Sequence, residues 1–350
     1  FNNRIGVALT ILSARSGTKH LVLELGTSGR GEISHLSRSV RPERVVVTDI
    51  APAHLLGLSD MDGVVAAKAE IFDGFTGRGS AWVRAGITGL DVFAARARSR
   101  LRTFGWRKKG EEPTPDLAVS RCVAELSLGG DDVRVGYRFQ IGDVELFLPV
   151  LGRHNVLNAL GAIAVARECG LGFREIQRGL DSVSLPPRRL ELVAVGPTLL
   201  IDDSYNANPR SFAGALDAWR ELRAASPGRG VVVFGDMLEL GDRALDHHEE
   251  AGRAIAASDV ELLVCVGDYA GVVAESFREA RATEGAGPGD VIVVDAAPAA
   301  IDALSQRLRA GDRILVKGSN ASGAGAVAQA IRELLRADAG ARAELREAAR

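Results

Sequence analysis

The chain has 350 residues, 46% of them hydrophobic and 25% charged, which is ordinary globular usage and excludes wholesale disorder. At roughly 150 residues per domain, the length fits about two domains, each able to bury a core without disulfide staples. Lys plus Arg number 43 against 45 Asp plus Glu, a formal charge of −2, so nothing in the overall charge draws the chain to nucleic acid or to an anionic membrane. Cys122, Cys169 and Cys265 lie far apart and form no Cys-x-x-Cys. They read as reduced thiols rather than a disulfide frame or a zinc site. No apolar run approaches the ~18 residues of a membrane span.

Short β-branched runs alternate with helical stretches along the chain. His20–Leu25, Arg44–Ile50, Thr198–Asp202, Gly230–Phe234, Glu261–Val266, Asp290–Val294 and Asp312–Val316 read as buried strands bounded by Gly, Asp or Pro. Between them, Asn155–Glu168, Ser211–Ala224, His247–Ala257, Ala270–Ala282 and Ala297–Arg309 carry helical spacing. That alternation predicts α/β architecture with parallel, doubly wound sheets. Val119–Val150 differs, because it alternates and contains Gly-Gly-Asp-Asp at 129–132, which predicts antiparallel hairpins. Phe93–Lys109 is rich in Arg and reads as a solvated helix face. Pro186-Pro-Arg-Arg189 reads as a stiff connector near a domain boundary. The reading is therefore a first domain over 1–190, a second over 191–336 and a frayed tail over 337–350.

Three side chains stand out in the first half. Glu24 ends the first apolar run and precedes Gly26, Gly29 and Gly31, His54 follows the second run, and Lys68 sits in the helical stretch VVAAKAEI. Glu24 and His54 project from carboxyl ends of predicted strands, where open α/β sheets bind ligands. In His154-Asn155-x-x-Asn158, the two asparagines are three apart at a helix start and share a face. Each offers an amide donor and acceptor, although from spacing alone an N-capping Asn beside an exposed one is the better reading. Gly323-Ala-Gly325-Ala-Val-Ala328 fits a dinucleotide fingerprint but lies near the carboxyl end without a following strand and acid, so it reads as no dinucleotide site.

The order of motifs carries more than any one of them. LELGTSGRGEISHL, VVVTDIAPAHL, AAKAEIF, GRHNVLNALGAIAVA, PPRRLE, DDSYNANPRS, GDMLELG and LVKGS follow one another from residue 1 to about 335, and in that order the chain resembles the Mur ligase family. The resemblance implies a central ATP-binding domain, mostly parallel with an antiparallel portion, followed by a Rossmann-like ligase domain. It also implies a cytoplasmic, monomeric enzyme that uses ATP and Mg²⁺ to join a carboxylate to an amine. A carboxylate is a poor acyl donor, so ATP first converts it to an acyl phosphate, and oxygen-bound metal and fixed cations stabilise the crowded phosphate charge. By the same resemblance Glu24, His54 and a carbamylated Lys68 hold the metal, since carbamylation turns a cation into an oxygen ligand. Asn155 and Asn158 meet adenine; Arg189, or its neighbour Arg188, meets the phosphates; Asp203 meets the ribose. Tyr205, Asn206 and Asn208 are shared between nucleotide and amine acceptor, with Tyr205 assigned to ATP and Asn206, Asn208 and His248 to the acceptor. Lys317 is assigned to catalysis, although the spacing by itself makes His248 a helix-surface histidine. DDSYNANP with GDMLELG implies D-alanyl-D-alanine as acceptor and UDP-N-acetylmuramoyl-tripeptide as donor, in peptidoglycan precursor synthesis.

The chain also departs from the family. It contains no Gly-Lys dipeptide, hence no P-loop, and its opening FNNRIGVALTIL resembles the segment after the family's P-loop helix. The resemblance thus implies an amino-terminally truncated chain, inactive as it stands. Asp49, Asn320 and the stretch Ala81–Gly86 differ from the usual family residues. Two other readings follow: a relative that adds glutamate or aspartate, of the folylpolyglutamate or cyanophycin type, and a non-catalytic split module.

Overall fold

The computed structural model describes residues 2–51, 58, 60–97, 100–108, 110, 112–129, 132–285, 287 and 289–348. Two compact units divide it. The first takes Phe1–Cys122, Phe139–Leu146 and Val156–Gly179, and the second takes Val123–Arg138, Phe147–Asn155 and Leu180–Arg350.

Six strands form the first sheet in sequential order: β1 (Val45–Val47), β2 (Ala81–Arg84), β3 (Leu101–Trp106), β4 (Leu117–Gly129), β5 (Asp132–Ile141) and β6 (Val144–Leu148). β1 to β4 are parallel neighbours. β5 and β6 are joined by Gly142-Asp143 alone, with Gly142 at φ 55°, and a two-residue link between neighbouring strands can only be an antiparallel hairpin. The helices α1 (Arg4–Leu12), α2 (Glu32–Val40), α3 (Met61–Ala69) and α4 (Leu90–Ala97) belong to this unit. Val45, Val47, Val64, Val65, Val83 and Phe93 share its buried core.

Two expectations fail here. His20–Leu25 has no strand pairing, and Leu21 and Val22 are exposed. β1 pairs only with β2 among the described residues, and an apolar run without a ladder partner has nothing to satisfy its backbone as a strand. The arginine-rich Phe93–Lys109 is no single helix face either. α4 ends at Ala97 and β3 begins at Leu101, with Phe104 fully buried and Arg102 lying over the Trp82 ring.

The second sheet runs β11 (Asp290–Val294), β10 (Leu262–Val266), β9 (Gly230–Gly235), β12 (Arg313–Lys317), β8 (Thr198–Asp203), β7 (Glu191–Val195). Its four pairs from β8 to β11 are parallel, while β7 adds itself antiparallel to β8. Alternation along each strand sorts the core into two faces. Leu199, Ile201, Val232, Phe234 and Leu315 pack against helices α7 (Pro209–Ala225), α8 (Ala244–Ala256) and α9 (Ala270–Thr283). Leu200, Val231, Val233, Ile314 and Val316 pack against α10 (Ala297–Ser305) and α11 (Ala324–Ala348). Two helices, α5 (Arg153–Glu168) and α6 (Phe173–Asp181), precede this sheet in the chain.

The consequence for ligand binding lies at β12. Its neighbours β8 and β9 send their following helices to one face, whereas α11 after β12 lies on the other. The carboxyl end of β12 is thus a topological switch point, where doubly wound sheets open a crevice. Residues 337–348 are helical and continue α11.

Candidate active site

In the first unit, Glu24 and Lys68 come within electrostatic reach. Lys68 lies in the last turn of α3, half-buried, and burial pulls its ammonium below the usual lysine range while the Glu24 charge opposes this. Glu24 is exposed and accepts a hydrogen bond from Asn2 Nδ2 at 3.1 Å. The glycine-rich turn after it is held by carboxylates: Glu32 accepts from Ser28 N at 2.9 Å, and Glu70 accepts from Gly31 N at 2.7 Å and Ser34 N at 3.1 Å. His54 lies outside the described residues. Among the described residues no three His, Cys, Asp or Glu side chains converge as a metal cluster. What fits a hard cation here is the donor chemistry: one carboxylate beside an amine that burial biases toward its neutral, carbamate-forming state.

The two asparagines of α5 differ in setting. Asn155 is buried, and its Nδ2 donates to the Leu151 carbonyl at 2.7 Å, closing the start of the helix. Asn158 is exposed.

The second unit holds the denser arrangement. Asp203 ends β8 and Lys317 ends the adjacent β12, in register with each other. Their side chains meet at 2.6 Å, with Lys317 1% exposed and Asp203 13%. Lys317 Nζ also donates to the Asn206 carbonyl at 2.8 Å, and Asp203 Oδ1 accepts from Leu190 N at 3.0 Å. Burial pushes the Asp203 carboxyl up and the Lys317 ammonium down, and each charge opposes the shift of the other. Arg189 lies over the exposed Tyr205 ring at 4.2 Å. One strand end therefore gathers an acid, two cations and an aromatic face.

Asn206 and Asn208 serve the loop as well. Asn206 Oδ1 accepts from Ala207 N at 2.9 Å. Asn208 caps α7 through a reciprocal box, accepting from Ser211 N at 2.8 Å while its own N–H donates to Ser211 Oγ at 3.0 Å. His248 is fully buried, not on a helix surface. It stacks on Tyr269 with ring centroids 4.2 Å apart, takes a hydrogen bond from Met237 N on Nε2 at 3.1 Å, and donates from Nδ1 to the Ala244 carbonyl at 2.6 Å. Burial holds this imidazole below its usual range, so it is the neutral, Nδ1-protonated ring that these two bonds require.

For several residues the structure shows roles that the sequence did not assign. Ser319 links three segments: its N–H donates to the Asp236 carbonyl at 3.0 Å, its Oγ accepts from Leu238 N at 2.9 Å and lies 3.4 Å from the Ala207 carbonyl. Arg188 points away from Arg189, its Nε donating to Ser204 Oγ at 3.1 Å. Gly325, part of the Gly323–Ala328 glycine pattern, leaves room here, since a Cβ there would strike the Arg188 guanidinium. Arg332, one of several arginines on a long helix, bonds both Glu191 and Asp202 at 2.7 Å, and nothing in its sequence neighbourhood announces that.

Known proteins share this construction. The Mur ligase middle domain matches residues 1–166, and the Mur ligase glutamate ligase domain matches residues 188–320. A UDP-N-acetylmuramoyl-tripeptide–D-alanyl-D-alanine ligase from Haemophilus influenzae is 32% identical over 285 residues, covering 81% of this chain and 59% of that protein. The ligase of the same name from Bacillus subtilis is 30% identical over 326 residues, covering 91% of this chain and 65% of that protein. The chain thus spans between about three fifths and two thirds of these relatives. A crystal structure of MurF from Acinetobacter baumannii superposes with a TM-score of 0.78 at 27% identity, covering 95% of this chain and 68% of that one. With two domains of one family in sequence and a whole-chain likeness in structure, the chain belongs to the Mur ligase family.

Proposed function

We propose that this chain is part of an ATP-dependent ligase that joins D-alanyl-D-alanine to UDP-N-acetylmuramoyl-tripeptide, a step of peptidoglycan precursor synthesis in the bacterial cytoplasm, and that it works as a monomer. Residues 1–190 form the central ATP-binding domain, 191–336 a Rossmann-like domain that adds nucleotide contacts to the acceptor side, and 337–350 a tail. The relatives named above carry this reading in sequence, and the buried Asp203–Lys317 pair at the switch point carries it in geometry.

In the proposed reaction a donor carboxylate oxygen attacks the γ-phosphorus of ATP, ADP leaves, and an acyl phosphate forms. The dipeptide amine then attacks the acyl carbon, the tetrahedral intermediate collapses, and inorganic phosphate departs with the electron pair of the broken C–O bond. Glu24, His54 and carbamylated Lys68 would hold Mg²⁺, which supplies charge neutralisation at the phosphate oxygens when bound. Asp203 takes the ribose hydroxyls, Asn155 and Asn158 the adenine edge, and Arg189 the phosphates, with Tyr205 beneath its guanidinium. Lys317, held by Asp203 and the Asn206 carbonyl, presents a fixed cation to charge that develops during acyl transfer. Asn206, Asn208 and His248 set the acceptor side, the last by shaping the Met237 backbone.

The test is a ligation assay on the protein encoded by the complete open reading frame. ADP release that needs both the UDP-linked tripeptide and D-alanyl-D-alanine is the expected result. Release with glutamate or aspartate instead would replace this reading by the amino-acid-adding one. Nucleotide binding without turnover under any acceptor would leave a binding module.

A further inference from the structure

Behind the Asp203–Lys317 site, five residues close a ring of hydrogen bonds, four through side chains alone and Arg188 through its side chain and its backbone N–H. Arg332 donates to both Glu191 oxygens at 3.0 and 2.7 Å and to Asp202 Oδ2 at 2.7 Å. Asp202 Oδ1 accepts from Ser204 Oγ at 2.6 Å, Ser204 Oγ accepts from Arg188 Nε at 3.1 Å, and the Arg188 N–H donates to Glu191 Oε2 at 3.0 Å. Asp202 is 2% exposed and Ser204 fully buried. Three of the five ring members neighbour a site residue in sequence: Arg188 precedes Arg189, Asp202 precedes Asp203, and Ser204 precedes Tyr205. Asp202 and Asp203 end strand β8, where adjacent residues point opposite ways, so fixing Asp202 aims Asp203; Arg188 and Ser204 act on Arg189 and Tyr205 through the backbone they share.

We propose that the ring of Arg188, Ser204, Asp202, Arg332 and Glu191 is a positioning device that fixes Arg189, Asp203 and Tyr205 for the nucleotide, with Arg332 as the residue that closes it. This rests on the ATP-dependent reading above. Two further features agree with it. Arg188 and Leu190 hold left-handed backbone at φ 64° and 49°, a conformation that non-glycine residues keep only where their surroundings impose it. Tyr205 N donates to the Arg188 carbonyl at 3.0 Å and Leu190 N to Asp203 Oδ1 at 3.0 Å, so the strained connector and the site loop are bonded directly. Gly325 leaves room for the Arg188 guanidinium beside Ser204. None of the ring side chains is assigned contact with substrate; they act through their neighbours.

The experiment pairs steady-state kinetics with amide hydrogen exchange over residues 203–208, on the protein used in the ligation assay. Arg332→Lys keeps the charge but loses the two-pronged donor geometry. It should raise KM for ATP about tenfold, as misplacement of positioning groups does, with kcat and the dipeptide KM within about twofold and faster exchange at 203–208. Gly325→Ala should act the same way by pushing the guanidinium off Ser204, and should have no further effect in an Arg188→Ala background. Wild-type ATP KM and wild-type exchange in Arg332→Lys overturn the proposal, and so does an equal change in both KM values. If the wild-type protein fails to ligate at all, the functional reading falls while the exchange data still decide whether the ring fixes the loop.

Discussion

Lys68 and Lys317 are both lysines drawn down by burial beside one carboxylate, yet their surroundings differ. Lys317 meets Asp203 at 2.6 Å and the Asn206 carbonyl at 2.8 Å, inside a unit whose neighbouring side chains are themselves bonded. Lys68 feels Glu24 only as a charge, and Glu24 is exposed. One site is held by the fold of its own unit, as a preorganised electrostatic site must be. The other has the makings of ligands without the fixed geometry, and a bound ion is what such donors need to become a site. The largest predicted difference follows. Lys317→Met leaves the Asp203 carboxylate buried without its cation and should cost about 3–5 kcal/mol of stability. Lys68→Met removes a charge that burial already disfavours and should change stability by less than about 1 kcal/mol, although both should abolish ligation. Urea unfolding of the two variants checks this, and Asp203→Asn should restore much of the Lys317→Met loss.

A second contrast lies within the second unit, where His248 is buried neutral. Its folded-state affinity for protons is held below that of the unfolded chain. As pH falls through the ordinary histidine value of about 6.5, the unfolded state takes up the proton first, so this contribution to stability is present above that value and is lost on acidification. Asp236, 4.0 Å from the ring, works with the opposite sign, because burial raises its carboxyl and its cost appears as pH rises. His248→Gln should therefore flatten the fall of the melting temperature between about pH 6.5 and 5. A fall as steep as in wild type would mean that the ring accepts a proton in the folded state.

The sequence was legible where burial and local chemistry agree. Thr198–Asp202, Gly230–Phe234, Asp290–Val294 and Asp312–Val316 are strands within one residue of their expected ends; in the first, second and fourth, apolar runs covered on both faces leave no other use for their side chains, while Asp290–Val294 is a half-covered edge strand. β2 and β3 were missed. Ala81–Arg84 is only four residues long, and Leu101–Trp106 sits in an arginine-rich stretch whose charges suggested a surface. In the site, Asp203 and Lys317 were readable from motif and strand end. Arg332, Glu191 and Ser319 were not, since their significance arises only when residues more than a hundred positions apart meet. His20–Leu25 shows the converse, an apolar run without a ladder.

Helix capping should not distinguish the two units, which gives a control of smaller size. Asp60 caps the helix that carries Lys68, accepting from Gly63 N at 2.8 Å, and Asn208 caps the helix after the Asp203 loop, accepting from Ser211 N at 2.8 Å. Replacing either cap by Ala should cost about 1 kcal/mol. A much larger loss at Asn208 alone would show that its box supports the site loop as well as the helix.

The smallest effect belongs to the apolar run that does not pair. Val22 is 88% exposed, whereas Leu200 in β8 is fully buried between its neighbours. Placing a carboxylate at position 22 buries no charge and breaks no packing, so Val22→Asp should shift unfolding by no more than about 0.5 kcal/mol. The same change at Leu200 forces an unpaired carboxylate into a packed core and should cost more than about 4 kcal/mol. If Val22→Asp proved as damaging as Leu200→Asp in urea unfolding, the first run would be covered in the folded protein, and the contrast between a self-held second unit and a partly open first one would fail.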